Sequence, residues 1–185
     1  MKSNFIRNVF LLAGGTASAQ LLNIVFLPIL TRLYDPSEFG VYSIFVAINA
    51  ILTVITTLKY ENAIISTNSY RRAENLCIIL FYTTFVISLV VSFLYFIICL
   101  YIAEDLNITA LVFSSFLSIL FSSWFLILYF WNNKHSNYKV MARGRVVAVI
   151  SMLFFSILYG YFIGGVEGLL FGNAISFIVN FVYND

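Results

Sequence analysis

ITALVFSSFLSILFSSWFLILYFW, residues 108 to 131, carries no charged residue and no proline. A membrane-spanning helix needs about 20 consecutive, mostly apolar residues, and this stretch exceeds that length. Comparable runs lie on either side, at Val9–Leu30, Val41–Leu58, Leu76–Ala103, Gly144–Ile163 and Val166–Val182. The whole chain of 185 residues is 62% hydrophobic, 18% aromatic and 10% charged, with a mean hydropathy of +0.97. A soluble domain carries about 25% charged residues, and one this small could not hide so much apolar surface. Lipid is therefore the expected solvent. The expected fold is an all-α integral membrane protein with about six transmembrane helices in a single domain, residues 1–185. The third run is long enough to tilt. Only Gly164-Gly165 separates the fifth run from the sixth, which calls for a tight helical hairpin.

The basic residues orient this arrangement. With the N-terminus in the cytoplasm, the inside segments hold Lys2, Arg7, Lys59, Arg71, Arg72, Lys134, Lys139, Arg143 and Arg145. Arg32 alone falls outside, so nine of ten follow the positive-inside rule. The outer segments carry Asp35, Glu38, Glu104, Asp105 and Glu167 instead. Lys2 and Arg7 ahead of Ala17-Ser18-Ala19 mimic a cleavable signal peptide. The apolar run continues past Ala19 to Leu30, however, and residues 9–30 read as a retained first span. The net charge of +2 gives no footprint for nucleic acid, and no nucleic-acid partner is expected. Aromatics such as Tyr34, Tyr42, Tyr60, Tyr101, Trp131, Tyr159 and Tyr183 flank the spans, where amphipathic rings favour the headgroup layer.

Several spans have polar faces. Thr16, Gln20 and Asn23 follow i, i+4, i+7 and share one face of the first helix. Pro28 is expected to bend that helix and free a carbonyl. Asn49, Thr53 and Thr56 line the second span, with Tyr42 and Tyr60 at its ends. Ser115, Ser118 and Ser122 line the fourth, and Asn173, Ser176 and Asn180 the sixth. Two readings are open. Such residues bond helix to helix for roughly 0.6–2 kcal/mol each, or they converge on a hydrated cavity. For the serines and threonines helix bonding is the simpler account. Gln20, Asn23 and Asn49 each need several partners and stay candidates for a substrate surface. Gly168, Gly172 and Ser176 form a small-residue ridge suited to close helix packing.

Charges at the span ends are the remaining candidates. Arg32 either snorkels and pairs with Asp35 or Glu38 or offers its planar fork to a phosphate. Lys59 and Glu61, two residues apart, do not face each other on a helix, so each is expected to find a partner elsewhere. His135 has no adjacent carboxylate or nucleophile motif and reads as a solvated loop residue. Cys77 and Cys99 lie 22 residues apart in one run, about 33 Å along a helix, too far for a disulfide. No catalytic constellation, metal-ligand spacing or phosphate-binding glycine loop is present, and no cofactor is expected.

Leu30-Thr31-Arg32-Leu33-Tyr34 followed by Asp35-Pro36-Ser37-Glu38-Phe39-Gly40-Val41-Tyr42 resembles the hallmark first loop of the polysaccharide-exporting, Wzx-type O-antigen flippases. These belong to the multidrug/oligosaccharidyl-lipid/polysaccharide (MOP) exporter superfamily. Lys59-Tyr60-Glu61-Asn62-Ala63-Ile64 is similar to that family's second motif, and Gly168-Leu169-Leu170-Phe171-Gly172 to its sixth helix. The resemblance implies a bacterial inner-membrane transporter, not an enzyme, that flips a polyprenyl-diphosphate-linked oligosaccharide among membrane lipids. Members have two six-helix lobes with the substrate path between them. The chain resembles the N-terminal lobe, with its partner a C-terminal lobe absent here or other polysaccharide-assembly proteins. A charge at the bilayer centre costs at least ~2.5–3.5 kcal/mol, and each ~1.36 kcal/mol slows crossing tenfold. Cations for the diphosphate and amides for the glycan would lower that barrier, which makes Arg32, Lys59, Glu61, Gln20, Asn23 and Asn49 the expected substrate surface. The rivals are a multidrug antiporter of the same superfamily, whose cation coupling wants an embedded carboxylate such as Glu61, a membrane-embedded glycan polymerase or acyltransferase, and an inactive truncated remnant.

Overall fold

Hydrocarbon offers backbone N–H and C=O groups no hydrogen-bond partner, so a chain this apolar must satisfy them within helices or a closed barrel. The computed structural model describes residues 2–102 and 108–184. Among them it contains seven helices and no strand: α1 (Lys2–Leu33), α2 (Pro36–Thr57), α3 (Asn62–Ser66), α4 (Tyr70–Ile102), α5 (Ile108–Lys134), α6 (Tyr138–Phe162) and α7 (Glu167–Asn184). Ala103, Glu104 and Asp105 lie outside the described residues, as do the side chains of Lys2, Cys99 and Tyr101. Over its described residues, each of the six apolar runs falls on one long helix.

Five helices, α1, α2, α4, α5 and α6, are long and apolar enough to cross a membrane. α7 has 18 residues, about 27 Å at 1.5 Å per residue, but Asn173, Asn180 and Asn184 dilute it, and composition does not mark it as a span. It packs between α5 and α6, which house its amides. Large apolar side chains point outward, among them Phe10 at 72% exposure and Phe162 at 73%. This is the surface of a multi-pass membrane protein, with an apolar exterior over polar contacts.

The boundaries have local causes. Pro36 takes the first position of α2, where its missing N–H costs nothing. The Glu38 carboxylate accepts the Asp35 N–H at 2.7 Å, closing the N-terminal turn of α2. α1 continues through Pro28 unbroken. Gly164 and Gly165 adopt φ of 76° and 88°, which residues with a Cβ rarely reach, and they turn α6 back onto α7. Along that hairpin a Cβ at Gly172 would meet the Ser156 hydroxyl and lie 3.0 Å from the Met152 carbonyl. The small-residue ridge on α7 is thus its packing face toward α6.

The bundle has two chemically distinct ends. At one, the basic end, stand Lys59, Arg71, Arg72, Lys134 and Lys139. At the other, the acidic end, stand Asp35, Glu38 and Glu167 with Arg32. Tyr34 locks the acidic end. Its ring fills the space beside Gly160 and Gly168, and its hydroxyl donates to the Ser156 carbonyl at 2.6 Å. Burial, with Glu38 nearby, pushes this phenol up to about 12, so it remains a donor. α1 and α2 share this corner yet do not pack along each other. α1 lies on α6, whereas α2 lies on α5 and α4.

The α1–α6 contact depends on Gly15, where a Cβ would stand 2.7 Å from the Ala142 Cβ and 2.9 Å from its carbonyl oxygen. Gly15→Val is expected to prise the helices apart and cost about 1–3 kcal/mol, read as a lower unfolding midpoint in detergent. Gly14→Val, where nothing lies within 4 Å, is the control and is expected to leave the midpoint unchanged or raised.

Candidate functional site

Polar groups drawn into an apolar bundle must meet one another, and they do so along a seam between α2, α5 and α7. The Tyr42 hydroxyl accepts from Asn173 Nδ2 at 3.2 Å, and Asn173 Oδ1 accepts from the Ser118 hydroxyl at 3.5 Å. One step toward the basic end, Asn49 Nδ2 donates to the Phe45 carbonyl at 2.8 Å and lies 3.4 Å from the Ser115 hydroxyl. Next, the Thr53 and Ser122 hydroxyls are 2.8 Å apart. Asn132 Nδ2 donates to the Asn184 carbonyl at 2.8 Å. Ser114, Ser115 and Ser123 are fully buried. Ser115, Ser118, Ser122 and Thr53 therefore bond helix to helix, whereas Thr56, Ser114, Ser123 and Ser176 donate to carbonyls of their own helices. Asn49 joins them, although its Oδ1 is buried without a partner.

The expected substrate surface does not assemble as one site. Arg32 and Lys59 are both exposed but flank α2, whose 22 residues separate them by about 33 Å. No single diphosphate spans that distance. Arg32 makes no ion pair among the described residues; Glu38, its expected partner, caps α2 instead. Lys59 lies in the left-handed region at φ 60° and points outward. Glu61 turns inward, 1% exposed, with Oε2 lacking any hydrogen bond. The expectation that Lys59 and Glu61 each find a partner elsewhere fails for both: neither side chain makes a hydrogen bond or ion pair among the described residues. Gln20 is exposed on α1 and Asn23 half-buried on the same helix. Thr16, on the face of Gln20, is engaged by Arg145.

Arg145, counted in the sequence among the inside cations at the very start of the fifth run, lies deeper than that reading placed it. α6 begins at Tyr138, so Arg145 stands two turns inside the helix. Its Nη1 donates to the Thr16 hydroxyl at 3.2 Å, about 15 Å along α1 from the start of its span. It borders a pocket of about 230 Å³ between α1, α5 and α6, shared with Tyr129, Phe125 and Leu12. Among the described residues no carboxylate pairs with it. The turn at Ser136-Asn137, where Ser136 has φ 60°, was the available signal that a helix starts early enough to carry Arg145 inward.

Lys134, also read as a topology determinant, is a clamp. Its Nζ donates to the carbonyls of Ile64 at 2.8 Å and Thr67 at 2.6 Å, holding the end of α3 on α5. His135 sits exposed on Trp131, ring centroids 4.4 Å apart, with Nδ1 2.9 Å from the Trp131 carbonyl. No nucleophile or carboxylate flanks it among the described residues. Cys77 is buried within the cluster of Ile64, Ala73, Leu80 and Ile127. A double-mutant cycle of Thr53→Val and Ser122→Ala is expected to show a coupling of about 0.6–2 kcal/mol in unfolding measured in detergent micelles. A coupling of zero would mean that this rung of the seam stabilises nothing.

Comparison with known families places this geometry. Residues 29–184 match the family described as polysaccharide biosynthesis protein. No curated protein and no solved structure gives a match. The matched region takes in the Tyr34 corner, the seam, the Glu61 turn and the Arg145 helix. The chain belongs to the polysaccharide biosynthesis protein family, and its role lies in polysaccharide biosynthesis at a membrane.

Proposed function

We propose that the chain is one lobe of a flippase that carries a polyprenyl-diphosphate-linked oligosaccharide across the bacterial inner membrane, with its basic end in the cytoplasm. The observation that carries this reading is Arg145. A guanidinium inside a helix at membrane depth is costly, and this one, exposed beside Tyr129, has among the described residues the Thr16 hydroxyl as its one hydrogen-bond partner. A planar, permanently charged fork is suited to phosphate. Its pocket is lined on the remaining sides by Leu12, Phe125, Leu126 and Met141, which suit an isoprenoid stem beside the phosphates. Gln20, exposed one turn along α1 from Thr16, offers an amide to the glycan. A second lobe facing α1 and α2 would complete the path.

Arg32 and Lys59 fit this reading at its two ends, as cations meeting the diphosphate at entry and exit on opposite sides of the membrane. Antiport of a cationic drug is less well supported. The pocket cation has the wrong sign for such a substrate, and Glu61 is closed off from the surface.

In cells lacking a surface-glycan flippase, this chain joined to a matching second lobe is expected to restore glycan export. Arg145→Ala is expected to reduce that export roughly 10–100-fold at unchanged protein level. This is the loss of one charge-assisted hydrogen bond of about 1.5–3 kcal/mol at about tenfold per 1.36 kcal/mol. Arg145→Lys should retain part of it. Full export by Arg145→Ala would remove the diphosphate assignment, and failure of the joined protein to rescue would remove the flippase reading.

A further inference from the structure

Gly14 and Gly15 are neighbours on α1 with opposite surroundings. At Gly15 the helix touches Ala142 of α6, whereas a Cβ at Gly14 would find nothing within 4 Å. The space beside Gly14 is a groove of about 500 Å³ between α1, α6 and α7. Phe10, Leu11, Val146 and Val147 wall it, and Arg143 and Tyr183 border it. That volume falls within the ~300–1,000 Å³ of ordinary ligand sites. α1 therefore crosses α6 between two grooves. Arg145 borders the one shared with α5, and Arg143, roughly 200° around α6 at 3.6 residues per turn, borders the other.

Helical spacing gathers cations at the mouth of this second groove. On α6, Lys139, Arg143 and Val146 follow i, i+4, i+7, and on α1 so do Arg7, Leu11 and Gly14. Each helix thus sets a basic residue one turn nearer the basic end than its apolar wall. Both helices start at that end, and side chains lean toward a helix N-terminus, so all three cations reach toward the headgroup layer. Arg143 itself lies little more than one turn from Tyr138, where α6 begins. Arg7, Lys139 and Arg143 are exposed. Among the described residues none of these side chains makes a hydrogen bond or ion pair, and no carboxylate borders the groove. A soluble anion would answer the cations and leave the apolar walls bare. A zwitterionic lipid would cover the walls and bring no net charge. An anionic phospholipid does both.

We propose that this groove binds an anionic phospholipid from the leaflet at the basic end. Arg7, Lys139 and Arg143 hold its phosphate, and an acyl chain lies over Gly14 between the walls of α1 and α6. The lipid bridges α1 to α6 and α7. α1 is the helix for which such a bridge matters most, because its chief packing partner is α6. Only 6% of its apolar window is buried, against 17–56% in the other four spans. Lipid would then staple the helix that protein packing holds least. The groove lies on the far side of α1 from the Arg145 pocket, so the inference stands apart from the transport reading and is tested without transport.

The test is native mass spectrometry of the full chain, titrated with phosphatidylglycerol or with phosphatidylcholine of the same acyl chains. Phosphatidylglycerol is expected to bind about tenfold more tightly, and equal binding would overturn the proposal. Arg7→Ala combined with Arg143→Ala is expected to weaken phosphatidylglycerol about 30-fold. Arg71→Ala combined with Arg72→Ala removes the same charge elsewhere at the basic end and is expected to change nothing. Equal losses from the two pairs would mean diffuse surface charge and would sink the site. Gly14→Leu keeps every cation but fills the groove, and it too is expected to weaken binding; undiminished binding counts against the seated acyl chain. Glycerophosphate, a headgroup without chains, is expected to leave the lipid in place at equal concentration. Displacement by it would make this a site for a free anion and end the lipid assignment. Hydrogen exchange of the unmutated protein locates the lipid whether or not a variant folds. Phosphatidylglycerol must slow exchange in residues 7–15 of α1 and not in α4, and equal slowing of both helices refutes the groove.

Discussion

Everything in this bundle follows from the scarcity of hydrogen-bond partners in hydrocarbon. Helices satisfy the backbone, but each polar side chain that enters must be met by another. The chain meets that demand largely by aligning helices so that hydroxyls and amides coincide. Asn49 faces Ser115, Thr53 faces Ser122, and Asn173 bridges Tyr42 and Ser118. Because these rungs join α2, α5 and α7, which run in the same direction, they fix the register of the three helices. A shift of one turn would break several at once. Apolar packing could not fix it as well, since lipid tails solvate leucine as readily as another helix does.

Glycine supplies the complementary constraint. At Gly172 and Gly168 the absence of a Cβ lets α7 approach α6 closely enough for the Ser156 hydroxyl to donate to the Gly168 carbonyl at 3.3 Å. Tyr34 then seals the acidic end against both helices through Gly160, Gly168 and the Ser156 carbonyl. The motif residue that looks most like an interfacial aromatic in sequence is therefore an internal bolt, 2% exposed. Gly14, by contrast, faces open space.

The helices were legible in the sequence because apolar length is a strong, additive signal. Over its described residues, each of the six runs falls on a single helix, and the Gly164-Gly165 turn lies where the run boundary predicts it. The site was much less legible, because its meaning depends on depth and on which way a turn throws a side chain. Arg32 and Lys59 read alike as basic residues beside family motifs, yet a whole helix separates them. Lys134, Arg143 and Arg145 also read alike. Lys134 clamps carbonyls, while Arg143 and Arg145 are both exposed and only Arg145 of the two hydrogen-bonds to Thr16 of α1 among the described residues. Loop charge counts cannot separate these fates, because the count is indifferent to where a helix begins. The burial of Glu61 was hidden for a related reason. It follows from positive φ at Leu58 and Lys59, neither of them a residue that announces such a turn.

Arg145 and Glu61, neither of them ion-paired among the described residues, have opposite signs and opposite surroundings. Arg145 opens into a pocket and keeps one neutral hydroxyl as its partner, so its charge is available to an incoming anion. Glu61 is sealed behind the α2 turn, 1% exposed, and has no route to a large ligand. Arg145 is open to solvent at the groove between α1, α5 and α6, whereas Glu61 is closed off, so only the cation of the two can meet a partner without the fold opening.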